Sequence, residues 1–238
     1  MPGYDSLSRR RLLGATAAGL AGTAGCLGLG SGGAGGATGQ DGADPGEIDL
    51  AGKPRLGSTD APLTLYYWTD FQCPFCAQFE AETLPKIREE YVSSGDLLVV
   101  TIPVAFFGED SLTAAAAAKC VWRQTGEDDP DAYWAWHAAV YDEQGDKNSG
   151  WASRANLLDI TESVEGVSAD RVATCLDEDG DELRTAVRDA GDEAQNSFGV
   201  RGTPTFVVSH APSGRWSKLV GAQPFDRFQS EIETVRSG

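Results

Sequence analysis

The sequence predicts an α/β fold in which helices cover both faces of a central sheet. Two runs, 63–68 and 97–102, are almost continuously apolar and rich in β-branched or aromatic residues. Strands buried on both faces have this composition, whereas a strand with one solvated face alternates polar and apolar residues. Apolar residues recur at helical spacing between and after these runs, and a further strand opens at Pro204. Buried strands with intervening helices are typical of an α/β protein.

In chain order, the first predicted elements are a short strand near 55–56, a strand over 63–69 and a helix from 73 to about 93. Pro74 suits the first turn of this helix, and Pro85 is expected to kink its middle. After the strand over 97–102, we expect four or five helices, at about 111–125, 131–144, 153–160, 169–177 and 181–198. A strand over 204–209 should then pair, through a turn at 212–214, with a strand over 216–220, before a terminal helix that opens at Pro224.

Two cysteines, Cys73 and Cys76, stand three positions apart where the strand over 63–69 gives way to a helix. A thiolate there gains from the unbonded N–H groups of the first helical turn and from the helix dipole. These effects lower a cysteine pKa from about 8.5 to roughly 3.5–7.5. The arrangement predicts a redox-active dithiol in which the first thiol, Cys73, is the attacking group.

A C-x-x-C pair also occurs as one half of a zinc site. Zinc would need two more ligands, yet Cys120 and Cys175 are solitary in the sequence. The two histidines, His137 and His210, lie near no cysteine at ligand spacing. We therefore expect no metal site and no cofactor.

A second motif, Gly202-Thr203-Pro204-Thr205-Phe206, places a proline at the start of a strand after a glycine-marked turn. A strand, C-P-F-C, a helix and a downstream T-P-T-F together resemble the thioredoxin fold. In that fold this proline is cis and lies against the dithiol. The cis bond is implied by the resemblance, because the residues alone also allow a trans proline that starts an edge strand.

The stretch at about 110–180 is rich in helix signals and makes the distance from Cys73 to Pro204 longer than the thioredoxin fold needs. With a helical insertion there, the chain resembles the DsbA-type thiol:disulfide oxidoreductases over about residues 52–236. The resemblance implies an enzyme that exchanges disulfides with unfolded or reduced exported proteins. It also implies a quinone-linked membrane partner that reoxidises the dithiol. The favoured hypothesis is an oxidase that introduces disulfides.

Three alternatives stay open at this point. A reductase or isomerase would use the same dithiol, although no dimerisation domain of the isomerase kind is visible, and we expect a monomer. A Cu(I) metallochaperone would also suit two soft thiolates, although Met1 is the only methionine. A redox-inert lipoprotein that uses the fold for docking is the third.

The resemblance assigns roles around the dithiol. Pro74 and Phe75 lie in the active-site loop, the backbone of Thr203 binds extended substrate, and Pro204 keeps that edge from pairing or ligating metal. Phe75 is a departure, because the most oxidising relatives carry a histidine between the cysteines.

A second departure concerns the acid that relatives bury six positions before the first cysteine, where it helps to move the proton of the buried thiol. Here that position is Tyr67. Asp70 is the nearest carboxylate, and it is either a substitute for the acid or a turn residue.

Cys120 and Cys175 both fall in predicted helices of the insertion. The resemblance implies that they form a structural disulfide, and two buried apolar thiols are the alternative.

A helix over 131–144 is rich in aromatic residues, which we interpret as core of the insertion, with any exposed members available to unfolded substrate. His137, in this helix, is interpreted as structural.

Arginines at 9–11 followed by an Ala/Gly/Leu stretch resemble a twin-arginine export signal over 1–25. The residues before Cys26 resemble a lipoprotein cleavage box, which would make Cys26 the lipid-bearing first residue of the mature protein. An uncleaved span over 12–30 is the alternative. The Gly-rich stretch 26–46 is expected to be a flexible tether, and 47–238 a single domain. Either arrangement places the domain outside the cytoplasm, and the lipid anchor places it at the outer face of the cell membrane.

The formal net charge is −17, from 36 acidic and 19 basic residues. Such a surface repels phosphate backbones, which excludes nucleic acid as a partner. The excess of aspartate resembles the composition of proteins from saline environments, where salt screens the self-repulsion. A simply acidic, solvated surface is the alternative.

Overall fold

The structure is a computed structural model that describes Pro45 and residues 48–126 and 128–237. The expected signal peptide, Cys26 and residues 26–44 of the tether lie outside these residues. Within the described part of the chain, no helix is both long enough and apolar enough to cross a membrane.

Five strands form one mixed sheet in the order β1-β3-β2-β4-β5. The central strand β2 runs parallel to β3 and antiparallel to β4, while β1 and β5 pair antiparallel at the two edges. Both β2 and β3 are buried along almost their whole length, which confirms the expectation drawn from their continuous apolar runs. The strands are β1 (Arg55–Leu56), β2 (Leu63–Thr69), β3 (Leu97–Pro103), β4 (Thr205–His210) and β5 (Arg215–Val220).

The helix expected from 73 to 93 is divided into three segments, α1 (Pro74–Glu82), α2 (Leu84–Ile87) and a π-helical turn (Arg88–Val92). Pro85 has no N–H to continue the hydrogen-bond ladder, so α1 ends and a new helix starts after Thr83. The expected kink is therefore a break, and it lies two residues before the proline.

Within the described residues, four helices lie between β3 and β4, which agrees with the expected four or five: α3 (Glu109–Thr125), α4 (Pro130–Asp142), α5 (Arg154–Glu162) and α6 (Ala169–Asn196). The separate helices expected over 169–177 and 181–198 are wrong, because α6 is continuous through Gly180. Arg123 of α3 holds this part of α6 on both sides of the glycine, through ion pairs of 2.8 Å to Asp179 and 3.3 Å to Glu182. These ion pairs are exposed and contribute little, but Val187 of α6 is buried against Leu112 and Ala115 of α3. This packing offsets the cost of a glycine in a helix, about 1 kcal/mol.

The two faces of the sheet carry separate apolar clusters. Tyr67 points to the face covered by α1, α4 and the C-terminal helix α7 (Phe225–Ser237). Its neighbour Trp68 points to the other face and packs against Phe198, just after α6, with ring centroids 5.4 Å apart. Because α6 joins the inserted helices to this second face, the boundary expected at about 180 falls inside one helix.

The aromatic helix α4 is core, as expected. Its aromatic residues and its histidine are all buried, and His137 Nε2 lies 2.9 Å from the carboxylate of Glu80 in α1. Helix α4 therefore packs directly on the helix that carries the dithiol.

Candidate active site

Helix α1 begins at Pro74, and Cys73 is its N-cap with an extended backbone (φ −84°, ψ 116°). Pro74 fits this first position because the N–H that it lacks would have no partner within the helix. The N–H of Cys76 donates to the Cys73 carbonyl oxygen at 3.0 Å, which closes the first turn. Both sulfurs therefore lie at the N-terminal end of the helix, where the sequence placed them.

The two thiols differ in exposure and in acidity. Both are free, and Cys73 is 2% exposed while Cys76 is fully buried. A hydrogen bond from the Cys76 thiol, aided by Thr203 and by backbone N–H groups of the first turn, lowers the pKa of Cys73 from 9.0 to about 6, against the opposing effect of burial. Burial, and then the neighbouring Cys73, raise the pKa of Cys76 well above its ordinary value. At neutral pH, Cys73 is the nucleophile and Cys76 keeps its proton.

The pairing of β2 with β4 places the motif at 202–206 beside the dithiol. Trp68, near the end of β2, pairs with Thr205 at the start of β4, so the residues before Thr205 lie beside the turn that carries Cys73. The Thr203–Pro204 bond is cis. Cys73 Sγ donates to the carbonyl oxygen of Thr203 at 3.1 Å. Two motifs far apart in the sequence therefore form one site.

Asp70 is bound by its own turn, by the loop after β3 and by the first turn of α3. Its carboxylate accepts hydrogen bonds from Gln72 N at 2.9 Å, from Ser111 Oγ at 2.6 Å and from Phe106 N at 2.7 Å. Burial raises the pKa of Asp70 despite these donors. The contacts support the turn-residue interpretation, because they engage the carboxylate with the loop and not with a thiol.

The segment between α4 and α5 closes onto the active-site turn. Gln144 Nε2 donates to the carbonyl oxygens of Phe71 at 2.5 Å and of Cys73 at 3.3 Å. Gln72 Oε1 accepts from the backbone N–H of Asn148 at 2.6 Å. Sequence reasoning missed Gln144 and Asn148, and no local signal marks them, because their partners lie more than 70 positions away in the sequence.

Tyr67 is buried and lies six positions before Cys73, where the resemblance to DsbA-type proteins predicts a buried acid. Burial raises the pKa of its phenol well above 10, so the side chain is neutral. The position therefore supplies a hydroxyl group rather than a carboxylate. Phe75, in contrast, is 60% exposed at the surface of the site.

Cys120 and Cys175 are joined in a disulfide that links α3 to α6 across a sequence separation of 55 residues.

Among the described residues, no group of three or more histidine, cysteine or acidic side chains is arranged to hold a metal ion.

The chain is similar to known proteins in sequence and in structure. Residues 50–230 match the family model described as thioredoxin. The disulfide bond formation protein D of Bacillus subtilis (strain 168) is 28% identical over 164 residues, which cover 69% of this chain and 71% of the relative. The probable disulfide bond formation protein D of Bacillus anthracis is 30% identical over 155 residues, covering 65% and 68%.

The crystal structure of oxidised BdbD from Bacillus subtilis matches with a TM-score of 0.69 at 26% identity, covering 83% of this chain and 98% of that one. The residues matched by the family model include the dithiol, the cis-proline and the inserted helices. The chain therefore belongs to the thioredoxin family, as a DsbA-type thiol:disulfide oxidoreductase with a helical insertion.

Proposed function

We propose that this protein is an extracytoplasmic oxidase that introduces disulfides into exported proteins through Cys73 and Cys76. The observation that carries the proposal is the position of Cys73 at the N-terminal end of α1, where the Cys76 thiol and the N–H groups of the first turn lower its pKa. A thiolate that the protein stabilises is a good leaving group and favours the reduced form of the dithiol. An enzyme whose reduced form is favoured passes its disulfide to its substrates.

In the oxidised enzyme, a substrate thiolate attacks Cys73 Sγ, the only one of the two sulfurs with solvent exposure. The bond between Cys73 and Cys76 breaks, and its electron pair goes to Cys76. A second substrate thiolate then attacks the substrate sulfur of the mixed disulfide and expels Cys73 as a thiolate. The substrate leaves with a disulfide, and the enzyme is left with two reduced cysteines for a quinone-linked membrane partner to reoxidise.

The cis-proline edge supports binding of an extended substrate. When Cys73 is protonated, its thiol donates a hydrogen bond to the Thr203 carbonyl oxygen. Neither the thiolate nor the disulfide has such a proton, so in both of these states the oxygen is free for a substrate N–H, in the manner of strand addition. Beside it, a cleft of about 450 Å³ lies between the loop at Ala105–Phe107 and Arg201–Gly202.

The surface around the site suits unfolded polypeptide. Phe75 and Val220 are the large apolar side chains that the described residues leave exposed, at 60% and 59%. Phe75 lies between the two cysteines, and Val220 pairs with Thr205, next to the cis-proline. Reduced proteins that have not yet folded offer the matching apolar side chains.

The direction of exchange is tested by the reduction potential. The purified full chain is equilibrated with glutathione buffers at high salt, and the state of Cys73 and Cys76 is determined by thiol alkylation and mass spectrometry. We expect a potential above about −200 mV, as in disulfide donors. A value near −270 mV, typical of thioredoxin, would make the protein a reductant and overturn the oxidase proposal. The Cys73→Ser variant should no longer oxidise a reduced model protein.

The location of the enzyme is part of the proposal. The arginines at 9–11, the sequence before Cys26 and the Gly-rich residues that follow support export and lipid attachment at the outer face of the membrane. Mass spectrometry of the mature N-terminus tests it, with Cys26→Ser as the comparison. A chain that stays in the membrane fraction after this substitution, with residues 1–25 retained, would favour the uncleaved span.

A further inference from the structure

Three buried hydroxyl groups meet next to the dithiol. Thr69, the last residue of β2, is fully buried, and its Oγ1 donates to the hydroxyl of Tyr67 at 2.8 Å. The same Oγ1 lies 2.5 Å from the hydroxyl of Tyr141, which comes from α4 in the insertion. The cluster therefore joins the sheet to the inserted helices, and its tyrosines are 0% and 6% exposed.

The Thr69 hydroxyl is close enough to Cys76 to lower the pKa of that thiol, although in the structure it donates its proton to Tyr67. Burial raises the pKa of both phenols well above 10, so both stay protonated and able to donate wherever exchange takes place. Thr69 has one proton and three neighbours that can accept it. When the two tyrosines donate to its oxygen, that proton is available to the sulfur.

Cys76 needs such a donor because it is fully buried and becomes an anion when its disulfide is broken. The surrounding carboxylates have other partners, since Asp70 accepts a hydrogen bond from Ser111 of α3 and Glu80 lies against His137. The backbone N–H of Asp70 also lowers the pKa of Cys76. Hydrogen bonds to ionised groups are stronger than those between neutral groups.

We propose that Thr69 is a catalytic hydrogen-bond donor to Cys76, and that Tyr67 and Tyr141 are positioning residues that orient its proton. The inference rests on the proposed function of the dithiol. When a substrate thiolate attacks Cys73, a new disulfide forms and the electron pair of the old one goes to Cys76 Sγ. The Thr69 hydroxyl turns from Tyr67 to this sulfur and stabilises the anion until a proton from solvent neutralises it. Thr69 itself does not ionise, and no further reactant is required.

The test is the rate constant at which glutathione reduces the oxidised full chain, because that step expels Cys76. We expect Thr69→Val to slow it about tenfold, since the leaving sulfur loses a hydrogen bond to a charged group. Thr69→Ser keeps the hydroxyl and should stay within about twofold of the wild type. Tyr141→Phe should slow the step about threefold, because it removes a donor to Thr69.

Thr101→Val is the matched control. Thr101 is a fully buried threonine of the neighbouring strand β3, and its hydroxyl has no hydrogen-bond partner among the described residues. The control removes the same atom without touching the dithiol, and its rate constant should be that of the wild type. Equal rate constants for Thr69→Val and Thr101→Val would overturn the proposal, and so would a Thr69→Ser variant as slow as Thr69→Val.

If Thr69→Val does not fold, Tyr141→Phe decides the matter together with Thr69→Ser. Slow exchange in Tyr141→Phe and normal exchange in Thr69→Ser supports the proposal, whereas a wild-type rate constant in Tyr141→Phe overturns it. Failure of the proposed function would appear separately, as a wild-type chain that does not exchange or that has the potential of a reductant.

Discussion

Cys73 and Cys76 stand three positions apart at the start of α1, whereas Cys120 and Cys175 are separated by 55 residues and lie inside α3 and α6. The first pair is at a helix end, where backbone N–H groups have no partner within the helix and stabilise a thiolate. Inside a helix, those N–H groups are already bonded to carbonyl oxygens of the preceding turn. The same residue type therefore serves exchange in one region and cross-linking in the other.

The difference teaches that the position of a cysteine in its helix, rather than the presence of sulfur, separates the two pairs. Cys73 has a pKa of about 6 because the Cys76 thiol and the helix end donate to it. The insertion disulfide lies in a different setting, next to the ion pair of Arg123 and Asp179 that fastens α6 to α3. We expect the insertion disulfide to contribute to the stability of the insertion and the dithiol to contribute to catalysis.

The largest expected effect is on stability and comes from the insertion pair. Replacing Cys120 and Cys175 by alanine together should lower the free energy of unfolding by about 4 kcal/mol, because the unfolded chain loses a closed loop of 55 residues. Urea denaturation of the full chain measures this change. The rate of disulfide exchange in the folded variant should stay within about twofold of the wild type.

The matched control for that variant is the replacement of Cys73 and Cys76 by alanine. It should abolish exchange and leave the insertion disulfide, and hence most of the stability, intact. Two results would contradict this division of roles between the two cysteine pairs. One is loss of exchange in the variant without the insertion disulfide. The other is that loss of the dithiol lowers the free energy of unfolding as much as loss of the insertion disulfide does.

The second expected effect is a pH dependence confined to the dithiol. The rate of Cys73 alkylation in the reduced protein should rise with pH with a midpoint of about 6. Because the folded pKa lies below that of an unfolded cysteine, about 8.5, the reduced protein gains stability as pH rises through this interval. It loses this contribution as pH falls through 6. A midpoint near 8.5 would contradict the lowered pKa.

The smallest expected effect is on the pKa of Cys73 and on the reduction potential, and it comes from a substitution at Phe75. This side chain is 60% exposed, so Phe75→His should leave the fold intact while it places a partly charged imidazole beside the Cys73 thiolate. A cation there should lower the pKa of Cys73 by about one unit and raise the reduction potential by about 30 mV. Equilibration with glutathione measures the shift, and Phe75→Gln, which adds polarity without charge, should leave the potential unchanged.

The sequence by itself determined the features that depend on neighbouring residues. Continuous apolar runs predicted β2 and β3 as buried strands, and the cysteines at a strand–helix junction predicted the dithiol. Strand burial and a helix N-terminus are local properties, so a few consecutive residues are enough to predict them.

The tertiary structure decided the features that depend on distant residues. Gly180 marks a helix boundary in the sequence, but α6 continues through it because its far half packs against α3. Tyr141 meets Thr69 across 72 positions, a contact that no pattern in either segment predicts. The physical reason is that helix packing and hydrogen-bond geometry depend on which surfaces the fold brings together, and local propensities amount to too little energy to oppose them.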